Sequence, residues 1–416
     1  MAPRSISMNS EGTFVDSNAK PTGLARVVRG IFRFIASLGM LEILGISRTA
    51  SFQTYRSRLL SFLFDVNTTL PWGVYLIGEF VNRANAWTRR RDGTINRRLA
   101  DFLEIKVPAS EKPKNGVSSK DVVIDEDTNV WVRIFTPSEE SVSQNSSCSE
   151  FHTESNRRPV LIFYHGGGFG VLCANERSYD TLCRTMARTF HVVVVSANYR
   201  RVPEHRYPTA YQDSFQVIKW LQSADSHAHL PPMADISRCF LMGDSAGGNI
   251  AHFMACRVAE LKEKELLPLR ICGVVLLQPF FGSEQRTQAE ITLAHVPMLC
   301  TDATDWHWKA FLPDRADRDH PACNVFGPNA SDISHLALPP IFLVKGTLDV
   351  LIDHQTNYAS RMREMGKSIK VNNYIGGFHA FYIFIPVGTK IALACLADIN
   401  EFIQSHSDER THPERH

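Results

Sequence analysis

CFLM (239–242) runs directly into GDSAGG (243–248), and NIAHFMACRVAEL (249–261) follows. A short apolar run, a set of small residues around one serine, and a helix-like pattern together describe a strand-to-helix turn. As a bare string G-x-S-x-G is common. At such a junction it is a nucleophile elbow, where small flanking residues permit a tight, strained turn. The turn lifts the Ser245 hydroxyl beyond the strand, to the helix N-terminus. Free backbone N–H groups and the helix dipole favour an anion there. The plainer reading, a Gly-rich turn with a capping serine, does not use the strand in front or the helix behind.

Outward from the elbow the same alternation repeats. Strand-like runs occur at Val160–Tyr164, Val192–Ala197, Cys239–Met242, Ile271–Leu277, Ile341–Val344 and Lys370–Tyr374. Helical patterns lie between them at Ser178–Phe190, Ala210–Ala224, Gly248–Leu266, Asp353–Met365 and Thr389–Ser405. Short β-branched runs alternating with helices indicate an α/β fold whose mostly parallel sheet is covered on both faces. Lys120–Asp125 and Asn129–Phe135 read as an opening hairpin, which brings the sheet to about eight strands. Residues 279–339 break the rhythm and are expected as a cap insertion over the carboxyl edge. Residues 1–23 read as a disordered leader, 24–105 as an N-terminal helical lid, 106–405 as the catalytic domain with a flexible insert at 137–158, and 406–416 as a disordered tail.

Two further signals sit where strands end. His165-Gly166-Gly167-Gly168-Phe169 follows Val160–Tyr164. Three glycines let a backbone approach a substrate carbonyl and present bare N–H donors, so Gly166, Gly167 and Gly168 with Ala246 are the expected oxyanion hole. His165 is expected to brace that loop. A serine hydroxyl needs a general base, and the base an orienting acid. Acid and then base follow an elbow serine in chain order. Asp349 lies just past Ile341–Val344 and His379 just past Lys370–Tyr374, both on the edge that carries Ser245. Asp353 competes for the acid role and is expected instead to cap the following helix. With an ordinary imidazole, turnover should rise through about pH 6–7 as the base loses its proton.

The 416 residues are 44% hydrophobic and 21% charged, enough for a sizeable core, and the net charge of +2 recruits no nucleic acid. Nine scattered cysteines without a C-x-x-C pair read as free thiols in a reducing compartment. That same argument counts against glycosylation at Asn67, Asn145 and Asn329. Between residues 24 and 98, twelve Arg face Glu42, Asp65, Glu79 and Asp92, a local net of +8. The longest apolar run there, Phe34 to Leu41, is far too short to span a bilayer. Helices packed with Arg outward explain the stretch; peripheral membrane association is left open. No H-E-x-x-H or G-x-x-x-x-G-K-[ST] is present, the His227-x-His229 pair stands alone, and serine acyl transfer calls for neither metal nor cofactor.

HGGGF, NYRRVPEHRYP (198–208), GDSAGGNIAH (243–252) and QPFFGSEQRT (278–287) together resemble the plant carboxylesterases of the hormone-sensitive-lipase group. That family also contains gibberellin receptors. The likeness runs over roughly 85–405, beginning near RRDGTINRRL (90–99). It implies an α/β-hydrolase fold, Ser245 as nucleophile, Asp349 as acid, His379 as base, and a small-molecule ester as substrate. It also implies that the N-terminal segment and the 279–339 insertion, with Trp72, Trp87, Trp306 and Trp308, roof the pocket. The receptors resemble HGGSF and carry an aliphatic residue in place of the base; Gly168 and His379 here are the hydrolytic version. The doubled Arg of NYRRVPE resembles the receptors. The expectation is a serine carboxylesterase of the cytoplasm, with nuclear or membrane-peripheral placement as the other options and a small-molecule receptor or a membrane-surface lipase as the alternative functions.

Overall fold

The computed structural model describes residues 6–8, 14–16, 72–138, 157–261, 263–296, 298–383 and 390–407. The chain divides into two compact units, Met1–Tyr75 and Leu76–His416. In the first, Ile6–Met8 pairs antiparallel with Phe14–Asp16, inside the stretch read as a disordered leader. The rest of that leader, residues 24–71 of the expected lid, nearly all of the 137–158 insert and the tail from 408 lie outside the described residues. The boundary expected at 105/106 falls within the second unit.

Eight strands form one sheet in that unit: β1 (Val117–Asp125), β2 (Val130–Pro137), β3 (Arg158–Tyr164), β4 (Val193–Asn198), β5 (Ala234–Asp244), β6 (Ile271–Leu277), β7 (Ile341–Leu348) and β8 (Ile369–Phe378). Their order is β8-β7-β6-β5-β3-β4-β2-β1. β1 and β2 are the antiparallel hairpin, β2 joins β4 antiparallel, and all other pairs are parallel. The helices that bear on the site are α1 (Trp72–Thr88), α2 (Arg97–Leu103), α3 (Arg177–Thr189), α4 (Thr209–Leu221), α5 (Ala246–Ala259), α6 (Gln288–Thr292), α7 (Thr301–Phe311), α8 (Ile352–Glu364) and α9 (Lys390–Ser407), and a further short helix covers Ala224–His229. The helix expected over Gly248–Leu266 ends at Ala259 instead, and a separate turn covers Glu263–Leu266. Its apolar pattern continues past the real terminus because Leu261 and Leu266 still pack on the core.

Central strands are buried on both faces, as their unbroken Val/Ile/Leu/Phe runs require: every residue from Val160 to Tyr164 is fully buried. Register then positions the site. Tyr164 stands opposite Gly243 in the β3–β5 pair, so the HGGG loop and the elbow leave the sheet side by side. Leu348 stands opposite Phe378 in the β7–β8 pair, which places the next residue on each strand, Asp349 and His379, together. Between β6 and β7 the 279–339 insertion contributes α6 and α7 and no strand among its described residues. It packs down through rings: Phe311 stacks on Phe169 at 3.7 Å and Trp308 on Phe280 at 4.1 Å. Trp308 is therefore core, whereas Trp87 is largely exposed. The eight described cysteines are free thiols, seven of them buried. No helix among the described residues is long and apolar enough to cross a membrane.

Candidate active site

Ser245 carries the strain that its sequence context implied. Its backbone sits at φ +55°, ψ −113°, a region non-glycine residues avoid at a cost of about 1–3 kcal/mol. Surrounding bonds impose it: Ser245 N–H donates to Leu277 O at 2.9 Å, and Phe280 N–H donates to Ser245 O at 2.8 Å. Gly247 is obligatory, since a Cβ there would stand 1.9 Å from Tyr164 O. That close approach seats α5 against β3. Ala246 opens α5, where no earlier turn can accept its N–H.

His379 Nε2 lies 2.9 Å from Ser245 Oγ, and its Nδ1 lies 3.1 Å from both carboxylate oxygens of Asp349. With Nδ1–H directed at the acid, Nε2 is left as the acceptor for the serine proton. Asp349 is fully buried, and its charge is satisfied by donors: Leu351 N–H at 3.1 Å to Oδ1, and Gln355 and Gln278 side-chain amides at 3.0 and 2.9 Å to Oδ2. Burial opposes the imidazolium of His379, but the Asp349 charge, its hydrogen bond and the Asp244 charge outweigh that, so His379 titrates above the ordinary imidazole value. Asp353 does not cap α8. It lies within the first turn and accepts the Ala289 N–H of the cap insertion at 2.7 Å. Asp353 is thus pinned to α6, and the structure places only Asp349 beside the imidazole.

The glycine loop requires one correction. Gly166 N–H donates to the Tyr179 hydroxyl at 2.8 Å and is not free to meet a substrate oxygen. No described group accepts from the N–H of Gly167 or Gly168, so the donor set narrows to these two and Ala246. Gly168 combines φ +58° with contact against the His307 ring, which would stand 2.4 Å from a Cβ. His307 belongs to α7; burial, then the nearby Arg89 charge, depresses it to about 3, so it meets the loop as a neutral ring. His165 stacks on Tyr199 at 4.3 Å, and its Nδ1 donates to Gly166 O at 2.9 Å. Burial lowers its pKa to about 3 as well. It braces the loop, and its Nε2 makes no hydrogen bond to Ser245.

Several participants left no readable mark in the sequence. Tyr179 in turn donates its own hydroxyl to Asp244 Oδ2 at 2.5 Å, and Tyr382 donates to Asp244 Oδ1. The buried carboxylate just before the serine in the elbow thus ties the glycine loop and the His379 loop to one point. From outside, Glu104 accepts Leu172 N–H at 2.5 Å, and Arg97 donates to Gly170 O and Val202 O at 2.6 Å each. The doubled Arg divides its work: Arg200 pairs with Asp213, Arg201 with Asp101 and Glu104. Among the described residues no group of three or more His, Cys, Asp or Glu is placed to hold a metal ion.

A model of the α/β-hydrolase fold matches residues 161–383, and a carboxylesterase family model matches 83–202. Gibberellin receptor GID1C of Arabidopsis thaliana is 39% identical over 310 residues, covering 74% of this chain and 88% of its own. The chain belongs to the α/β-hydrolase family that holds gibberellin receptors and plant carboxylesterases. Gibberellin receptor GID1 of Oryza sativa subsp. japonica is 40% identical across 77% of this chain and 90% of its own. Carboxylesterase 20 of Arabidopsis thaliana is 33% identical across 69% and 85%. In three dimensions this α/β hydrolase resembles a hyperthermophilic esterase from Pyrobaculum calidifontis, with a TM-score of 0.60 at 22% identity, covering 79% of this chain and 97% of that one. That likeness concerns fold alone.

Proposed function

We propose that the protein is a serine carboxylic-ester hydrolase acting on a small apolar ester through an acyl-enzyme intermediate. The observation that carries this is the continuous hydrogen-bonded line from Ser245 Oγ through His379 to Asp349. In the first step His379 Nε2 takes the serine proton as Oγ attacks the ester carbonyl. The oxyanion that forms is met by the N–H groups of Gly167, Gly168 and Ala246. Collapse of the tetrahedral species expels the alcohol, which receives the proton from His379. Water, deprotonated by the same imidazole, then attacks the acyl-serine and releases the acid. Asp349 keeps the imidazole in the needed tautomer and supports its transient positive charge. From the 279–339 insertion His307 reaches this chemistry, lying against Gly168 of the glycine loop. Purified protein should turn over short-chain p-nitrophenyl esters; folded protein with no turnover from pH 6 to 9 would refute the reading.

A second reading is favoured by one specific observation, the 36–40% identity to four gibberellin receptors. In it the chain senses a small gibberellin-like hormone, and hydrolysis is residual. Saturable binding of a gibberellin to Ser245→Ala protein, with no ester turned over by the wild type, is the outcome that would select it.

A further inference from the structure

Gln278 is the first residue after β6 and is fully buried. Its backbone adopts φ +42°, and its N–H still donates to Val344 O at 3.0 Å, so the main chain is locked to β7 at that point. Its side chain makes three bonds. Nε2 donates to Asp349 Oδ2 at 2.9 Å and to Phe378 O at 3.2 Å, while Oε1 accepts the N–H of Ala380 at 2.7 Å. Phe378 and Ala380 are the residues on either side of His379. One planar amide therefore grips the acid and both flanks of the base.

The chemistry of the three partners restricts what can stand there. A carboxylate and a carbonyl only accept, and a backbone N–H only donates. A primary amide answers all three from one rigid group; a hydroxyl, an imidazole or a carboxylate does not. Space is made for it on the neighbouring strand, because a Cβ at Gly346 would stand 2.9 Å from Gln278 Nε2. Gln355 provides an internal contrast. Its Nε2 reaches the same Asp349 oxygen at 3.0 Å, yet its side chain makes no hydrogen bond to the His379 loop.

We propose that Gln278 is a positioning residue that holds the acid loop and the base loop in register, so that one imidazole meets Asp349 and Ser245 at once. Its value for catalysis rests on the ester-hydrolase reading; its effect on His379 does not. Charged and titratable groups facing that ring are Asp349 beside Nδ1 and Asp244 behind the elbow, with the Tyr382 hydroxyl bound to Asp244. Loss of the Gln278 donor leaves Asp349 with one fewer hydrogen bond and releases both residues flanking the ring.

The test uses the full chain labelled with ¹⁵N-histidine, with the His379 signals assigned by their absence in His379→Val. In wild type, Nδ1 of neutral His379 should carry the proton. In Gln278→Met the ring should become a mixture of tautomers, with its titration midpoint displaced. Ester kcat should fall about 10- to 100-fold with KM changed less than about threefold, the scale expected for a misplaced catalytic group. Gln355→Met should retain the Nδ1–H tautomer and lose less than about tenfold in kcat. Should Gln278→Met fail to fold, Gln278→Asn keeps the amide but withdraws it by one methylene, and the same signature is expected. A folded variant that melts earlier yet keeps tautomer, titration and kcat unchanged would overturn the proposal. If wild type hydrolyses no ester but the variant's tautomers mix, the hydrolase reading fails and the positioning role stands.

Discussion

The two halves of the site are held by different physics. On one side, the elbow and the glycine loop are framed by hydrogen bonds, but what they cannot change is set by backbone sterics: Ser245 at positive φ, Gly247 against Tyr164 O, Gly168 against His307. On the other, Asp349 and His379 stand on loops after β7 and β8, and side-chain hydrogen bonds fix them. A steric half tolerates no added atom. A hydrogen-bonded half tolerates new atoms of the right polarity and fails when a donor is removed. Adding one methyl group to the first should therefore do what removing one polar atom does to the second.

The largest effect sits where the halves meet. Ser245→Ala and His379→Val should each remove nearly all ester turnover, on the order of 10⁶ in kcat where nucleophile and base act as a unit. Circular dichroism should be unchanged, and equal loss in both would mark the line as one device. Asp349→Asn should cost about 10⁴, since the amide can favour the wrong tautomer. Gly168→Ala probes the steric half: the methyl meets His307 and strains φ +58°, displacing an oxyanion donor. A loss of about 10²–10³ in kcat is expected, measured with KM on the same ester. Asp353→Asn should remain within about threefold, because its amide oxygen can still accept from Ala289 N–H. A crippled Asp353→Asn with active Asp349→Asn would exchange the acid assignment.

Legibility in the sequence follows the same division. Steric demands leave glycines at fixed offsets from the residue they serve, so Ser245, Gly167 and Gly168 stand out in a short window. Asp349 and His379 were readable because each follows a strand-like run on the edge that carries Ser245, although both strands run on past those runs, to Leu348 and Phe378. Gly166 was misread as a donor because the string HGGG does not reveal that Tyr179, on α3, accepts its N–H. Tyr179, Gln278 and Gln355 come from separate elements, and no spacing rule joins them. Asp353 misled for a related reason: its partner, Ala289, lies 64 positions away in the insertion. The sheet was legible almost strand for strand since doubly buried strands are unbroken apolar runs, while helix ends blurred where exposed turns kept apolar residues.

The ordinary imidazole expected from sequence also shifts. In the proposed mechanism neutral His379 is the active form, and the Asp349 and Asp244 charges raise its pKa despite burial, so the acid limb of the rate profile should lie above about 6.5. The line from Ser245 to Asp349 is tested most directly by labelling with a fluorophosphonate, followed by peptide mapping. One adduct is expected, on Ser245, formed at a rate that climbs with pH on a curve centred above the ordinary imidazole value, and no adduct in His379→Val over the same time. An unlabelled Ser245 in folded wild-type protein, or His379→Val labelled at the wild-type rate, would contradict the account.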